Sequence, residues 1–183
     1  SNGGGLYVKT FASVGLTDCA FVTNGLPTLS GAKSGRDNCR GGALYAEDAP
    51  VTAMRVKFIG NGAISHGTLA GGSAVFLVGN CGGSAFTNCV FAGNMQVGNH
   101  ANSASYGAAI YLSGCPRADV LGCLFVTNGI AYASPGAANY QHKVGSAIYA
   151  TGTRLYCRNS RFAANGACVC GDAVSGGTVV LSG

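Results

Sequence analysis

The sequence predicts an all-β fold, a single parallel β-helix domain over residues 1–183 with about five coils, on three observations. A motif of the form Gly-x-small-aliphatic-aromatic stands at Gly41-Gly42-Ala43-Leu44-Tyr45 and recurs at 72–76, 107–111 and 145–149. A looser copy opens the chain at 3–7 and a decayed one closes it at 171–175. A second motif, Phe-x-x-Asn, is tied to the first at Phe21/Asn24, Phe58/Asn61, Phe91/Asn94, Phe125/Asn128 and Phe162/Asn165, the phenylalanines lying 37, 33, 34 and 37 residues apart. Third, the segments before these phenylalanines alternate with a period of two, and repetition at about 20–50 residues marks a solenoid.

The strand ahead of the second motif is the clearest element. Cys89 and Phe91 share one face there and Asn88 and Val90 the other, and Cys19 and Phe21 stand in the same way against Asp18 and Ala20. This is the pattern of a half-buried strand. Helical repeats are excluded by composition: Gly fills 31 of 183 positions, and each would cost a helix interior about 1 kcal/mol. A propeller blade of about 40 residues needs four strands and several hairpin turns. Each unit here reads as two or three short strands with few hairpin signals, so one unit is one coil. Coils about 4.8 Å apart then give a rod core ~20–25 Å long.

Stacking explains the repeated residues. The five phenylalanines are expected to form an inward aromatic stack, worth about 0.5–1.5 kcal/mol per ring pair beyond burial. The asparagine three residues on marks a turn, since Asn tolerates left-handed backbone. Its amide can also bond the coil above, as in an Asn ladder. Gly25, Gly62, Gly129 and Gly166 follow four of the five asparagines, with Met95 the exception. For the first motif we place Leu44, Val75, Ile110 and Ile148 inside and Tyr45, Phe76, Tyr111 and Tyr149 in an outer stack; a slip of one residue would exchange the two faces.

The pairing of Gly41-Gly42-Ala43-Leu44 with Phe58-Ile59-Gly60-Asn61 resembles the repeats of the chlamydial polymorphic outer membrane protein family. The resemblance covers nearly the whole chain. It implies a right-handed parallel β-helix displayed at a cell surface, usually for adhesion. It is specific for architecture and weak for function, and the autotransporter barrel of that family has no counterpart in these residues.

Only 9% of the residues are charged, and the net charge of +5 arises from scattered groups. Arg154, Arg158 and Arg161 are the densest cluster and read as a solvated strand face rather than a nucleic-acid site. No apolar run reaches transmembrane length, and neither an initiator Met nor a signal peptide is present. We therefore read the chain as mature or as a fragment of a longer solenoid. Nine cysteines without metal-ligand spacing point to oxidation and an extracellular or cell-surface place. Cys89 and Cys123 each lie two residues before a motif Phe, and Cys81 and Cys115 each lie ten before it. Stacked coils bring such positions to disulfide distance, so Cys81–Cys115 and Cys89–Cys123 are candidate inter-coil bridges. The alternative pairs Cys81 with Cys89 and Cys115 with Cys123, and spacing alone leaves both open. Cys19 reads as a small inward hydrophobe, because its neighbour on the next coil is Val56.

The intervals 25–40, 62–71, 95–106 and 129–144 read as coil corners of unequal length, and such insertions often form the binding face. The last holds Tyr132, Tyr140, Gln141 and His142, whose aromatic and amide groups suit sugars. Catalysis is not expected, and neither is a cofactor or a bound metal. Only six acids exist, Asp18, Asp37, Glu47, Asp48, Asp119 and Asp172. None repeats in the spacing that calcium or paired-carboxylate chemistry asks for. His66, His100 and His142 are dispersed over separate corners. No Asn-x-Ser/Thr sequon occurs; Asn102-Ser103-Ala104 fails at its third position. The expected function is an extracellular structural or adhesive module that assembles end to end into a filament or appendage. Its partners would be further copies or flanking domains of a longer chain. The alternative is a glycan-binding module using the corners, and a polysaccharide lyase or glycosidase comes last.

Overall fold

The computed structural model describes residues 4–10, 13–25, 40–65, 70–98, 105–132, 143–166, 174–175 and 178–182. Every strand in it pairs in parallel with its counterpart one repeat away, and no helix occurs among the described residues. Sheet 1 stacks Leu6–Lys9, Leu44–Glu47, Val75–Val78, Ile110–Ser113, Ile148–Thr151 and Val174–Ser175. Sheet 2 stacks Val14–Thr17, Val51–Met54, Ser84–Thr87, Arg117–Leu121, Arg154–Arg158 and Thr178–Ser182. Sheet 3, the Phe-x-x-Asn sheet, holds Ala20–Val22, Lys57–Ile59, Val90–Ala92, Leu124–Val126 and Arg161–Ala163. The protein is a parallel β-solenoid.

Two expectations are refined. Each full repeat has five strands rather than two or three. Three of the four intervals read as corners begin in a fourth sheet (Gly62–Ser65, Met95–Gly98, Gly129–Tyr132) and end in a fifth (Ala70–Gly71, Ser105–Tyr106, Lys143–Val144), and residues 26–39 of the other lie outside the described residues. Their short, Gly-containing strands carry too little alternation to be read from the sequence. The coil count changes accordingly: three coils carry all five strands among the described residues, and shorter strand sets flank them.

The coils bend at single residues in left-handed conformation. After sheet 1 these are Thr10, Asp48, Gly79, Gly114 and Gly152; after sheet 2 they are Asp18, Arg55, Asn88, Gly122 and Asn159, all with φ between 49° and 80°. Side chains at such angles are uncommon. They are held because the corner N–H stays in the inter-coil ladder: Asp48 N–H donates to Val78 O at 3.0 Å, and Asn88 N–H to Leu121 O at 2.8 Å. Only the corner before sheet 1 demands glycine throughout. At Gly41, Gly72, Gly107 and Gly145 φ is positive, and a Cβ would collide with the carbonyl oxygen three residues on.

The turn role given to the motif asparagines is corrected. The left-handed residue is the one before, namely Thr23, Gly60, Gly93, Thr127 and Ala164. The asparagines are instead the rungs of a ladder. Asn94 Oδ1 accepts from both the backbone N–H and the Nδ2 of Asn61, each at 3.0 Å. Asn94 Nδ2 donates to Phe58 O at 3.0 Å and to Asn128 Oδ1 at 2.8 Å. The pattern runs from Asn24 to Asn165. Asn61, Asn94 and Asn128 are wholly buried, so these bonds remove the penalty of burying an amide.

Two aromatic ladders run beside it. Phe21, Phe58, Phe91, Phe125 and Phe162 stack in register with ring centroids 5.2, 4.9, 4.7 and 4.8 Å apart, the middle three wholly buried in the core and Phe162 exposed at the end of the stack. Leu44, Val75, Ile110 and Ile148 also belong to this core. On the opposite face of sheet 1, Tyr7, Tyr45, Phe76, Tyr111 and Tyr149 stack at 5.2, 5.3, 4.3 and 5.3 Å. Both faces of sheet 1 follow the register read from the sequence. The outer ladder is nonetheless mostly buried, with Tyr106 of sheet 5 packed against it.

Asn94→Leu should lower the free energy of unfolding by about 3 kcal/mol, because Asn61 and Phe58 lose buried partners without replacement. Asn80→Ala, at an exposed corner, should stay within about 0.5 kcal/mol of the parent. Urea titration of the two variants checks this, and equal midpoints would contradict the ladder's role.

Candidate functional site

Cysteine placement follows the coil stacking. Cys81 and Cys115, on successive coils with Cα atoms 4.8 Å apart, form a disulfide. Nearby, Ser84 Oγ donates to Cys81 O at 2.7 Å and accepts from Val51 N–H at 3.0 Å, tying this corner to the preceding coil. The expected second bridge, Cys89–Cys123, is not formed: both are buried thiols. They are stacked neighbours, but each sulfur is turned onto backbone groups. Cys123 Sγ accepts from Cys89 N–H at 3.4 Å and lies 3.2 Å from Phe86 O, and Cys89 Sγ lies 3.4 Å from Thr87 O. The within-coil pairing is excluded by the same geometry. Hydrogen bonding with Cys123 holds the Cys89 thiol down at about 7 against the opposing effect of burial. The same contact, together with burial, pushes Cys123 up. Cys19 is a half-buried thiol packed against the core, in the small-hydrophobe role read from the sequence.

Beside the outer aromatic ladder lies a polar pocket of side chains that sequence reading missed. Gln96 is fully buried in sheet 4, and its Oε1 accepts from Ser73 Oγ at 3.3 Å. Its Nε2 has no hydrogen-bond partner among the described residues. The Arg40 guanidinium sits 5.5 Å from the centre of the Phe76 ring. Burial raises the Tyr45, Tyr106 and Tyr111 hydroxyls above their ordinary pKa. Tyr45 also donates to Glu47 Oε2 at 3.3 Å. Only the alternation of Gln96 with its apolar neighbours hinted at its burial.

Every described acid is engaged. Glu47 pairs with Lys9 at 3.1 Å. Asp18 takes two contacts of 2.6 Å from Arg55, which hold its carboxyl below the usual range. Asp48 Oδ1 accepts from Asn80 N–H at 2.9 Å. Asp119 is clamped by Arg117 through Nε at 2.8 Å and Nη2 at 2.9 Å. Among the described residues, no group of three His, Cys, Asp or Glu side chains is placed to hold a metal. Asp37, Asp172 and the three histidines lie outside the described residues. So do Tyr140, Gln141 and His142 of the proposed ligand corner; Tyr132 ends a strand of sheet 4.

On the outer face of the last described coils, arginines gather around one ring. Arg117 and Arg154 are directly in register, as are Asp119 and Tyr156. The Arg117 guanidinium lies 4.8 Å from the centre of the Tyr156 ring, and that of Arg158 lies 5.8 Å from it. The sequence cluster Arg154, Arg158 and Arg161 is thus joined by Arg117 and Tyr156, which lie 37 and 2 residues from Arg154 along the chain. The x-Arg-x-Tyr-x-Arg alternation was the available signal.

Neither a protein-family model, a curated protein nor a solved structure matches the chain. No helix among the described residues is long and apolar enough to cross a membrane.

Losing the bridge through Cys81→Ser/Cys115→Ser should cost about 3–4 kcal/mol, as expected for a loop of this length, read as a lower urea midpoint than in the oxidised parent. Native alkylation should leave Cys89 and Cys123 unlabelled despite the lowered Cys89 pKa, because access limits reactivity. Rapid labelling of either in the folded protein, seen by peptide mass mapping, would contradict their burial.

Proposed function

We propose that the chain is a non-enzymatic structural or adhesive module, working outside the cell and building further coils onto its own by stacking. The observation that carries this is the unmatched state of the ladders. Phe162, on the last strand of sheet 3, is 43% exposed, and Tyr7, on the first strand of sheet 1, is 48% exposed. Rings of this kind are buried wherever a neighbouring coil covers them. A further coil at each end, from a second copy or from continuing chain, would bury these rings and extend the Asn ladder. The in-register repetition makes such stacking geometrically natural, because each coil is a template for the next.

Three further points support the placement. The Cys81–Cys115 disulfide suits an oxidising compartment. Low charge and a uniform rod suit a scaffold more than a catalyst. The Gly-Gly-Ala-Leu and Phe-x-x-Asn repeats resemble those of chlamydial surface proteins, and adhesion is the role that likeness implies.

Oxidised protein should form concentration-dependent assemblies in sedimentation velocity and regular fibres in electron microscopy. Phe162→Asp, at an exposed ladder end, should suppress them while leaving the β-sheet circular dichroism intact. Discrete monomers at every concentration up to the solubility limit would sink the assembly reading.

A further inference from the structure

We propose that the outer face of the strands Arg117–Leu121, Arg154–Arg158 and Arg161–Ala163 binds an anionic polysaccharide, a polymer of carboxylated or sulfated sugars. This goes beyond the scaffold role and does not depend on end-to-end assembly.

The argument begins with charge placement. Arg117, Arg154, Arg158 and Arg161 are all exposed on one side of two adjacent coils. The acid on this face, Asp119, is already neutralised by the two-point clamp from Arg117. Arg154, Arg158 and Arg161 have no ion-pair partner among the described residues. The basic groups of the earlier coils differ: Lys9 is paired with Glu47 and Arg55 with Asp18, Arg40 is held over the buried Phe76 ring, and Lys57 is exposed. Stacking Arg154 directly on Arg117 is a like-charge cross-strand pair, which destabilises a sheet. Contacts with the Tyr156 ring offset part of this cost, and an anion laid across the face would offset more.

Geometry then selects the kind of anion. Arg154, Tyr156 and Arg158 occupy alternate positions of one strand, so the two guanidinium-bearing residues are about 13 Å apart with the ring between them. Arg161 continues the line across the corner into sheet 3. A sparse row of cations along one strand, continued past the corner, fits an extended, intermittently charged chain that follows the surface. Tyr156 is half-buried and has the Arg117 and Arg158 guanidinium groups at 4.8 and 5.8 Å from its ring centre. Its ring therefore braces the arginines and is poorly placed to stack a nucleobase, the main grip of single-strand nucleic-acid surfaces. The guanidinium fork matches carboxylate and sulfate oxygens. The disulfide suits a compartment where acidic glycans, rather than nucleic acids, are the abundant polyanions.

The test uses the full oxidised chain and three probes: heparin as a sulfated glycan, polygalacturonate as a carboxylated one, and a duplex DNA oligonucleotide. Equilibrium titration at about 0.15 M salt compares the parent with Arg154→Ser/Arg158→Ser/Arg161→Ser. Lys9→Ser/Arg55→Ser/Lys57→Ser is the charge-matched control. We expect one or both glycans to bind, with the patch variant weakened about tenfold or more and the control within about twofold. Which glycan responds identifies the anion. Arg158→Ser alone should weaken binding about threefold, and it decides the matter if the triple variant does not fold. Absence of glycan binding by the parent, equal weakening in both triple variants, an unaffected Arg158→Ser, or tighter binding to DNA than to either glycan would each overturn the assignment.

Discussion

Burying a column of stacked primary amides is costly unless their bonds are met, and the rest of the fold is arranged around meeting those of the motif asparagines. Asn61, Asn94 and Asn128 each receive two donors on Oδ1 from one side and give two bonds from Nδ2. The acceptors are the motif Phe carbonyl of the preceding coil and the Asn of the following one. Those partners exist only if successive coils are in exact register at about 4.8 Å spacing. The requirement therefore fixes rise and register together, as a buried polar network does when every member is satisfied. The Phe stack three residues earlier then falls into line without further instruction, and the left-handed residue between the two motifs makes the corner that presents the amide.

The main ladder residues were legible because they repeat. Phe and Asn recur at fixed spacing, and the two-residue alternation before them places one face inside. The face assignment of Leu44 and Tyr45 also follows from alternation, although the depth at which the outer ring is buried does not, since Tyr106 arrives from a remote part of the repeat. The fourth and fifth sheets were illegible: Met95–Gly98 shares only glycine with Gly62–Ser65, and Gly129–Tyr132 has its Ala and Ile in exchanged positions. Backbone pairing alone aligns them, and backbone pairing leaves no compositional trace. The asparagine's local conformation was misplaced by one residue for a related reason. Propensity marks Asn as tolerant of positive φ, but its bonding in the ladder outweighs that preference and the corner falls to Thr, Gly or Ala.

Cysteine spacing was informative only in part. It correctly brings both pairs to adjacent coils, yet only one pair is bridged. Spacing fixes Cα separation, whereas side-chain direction decides whether a bridge closes, and the Cys89 and Cys123 sulfurs are also held by backbone carbonyls of sheet 2. The outer surface divides similarly. Its arginines were visible as a cluster, while the in-register Arg117 and the bracing of Tyr156 emerge only when the coils are stacked. The interior is thus devoted to repetition and the exterior is left free to vary.

The central claim is that the buried Asn ladder holds the coils in register. Hydrogen exchange of the asparagine side-chain amides, resolved by nuclear magnetic resonance, tests it directly. The Nδ2 protons of Asn61, Asn94 and Asn128 should exchange as slowly as the most protected backbone amides of sheet 3, opening only with global unfolding. Fast exchange of those side-chain protons while the Phe58, Phe91 and Phe125 backbone amides remain protected would show that the coils stay stacked without the ladder, and would contradict the account.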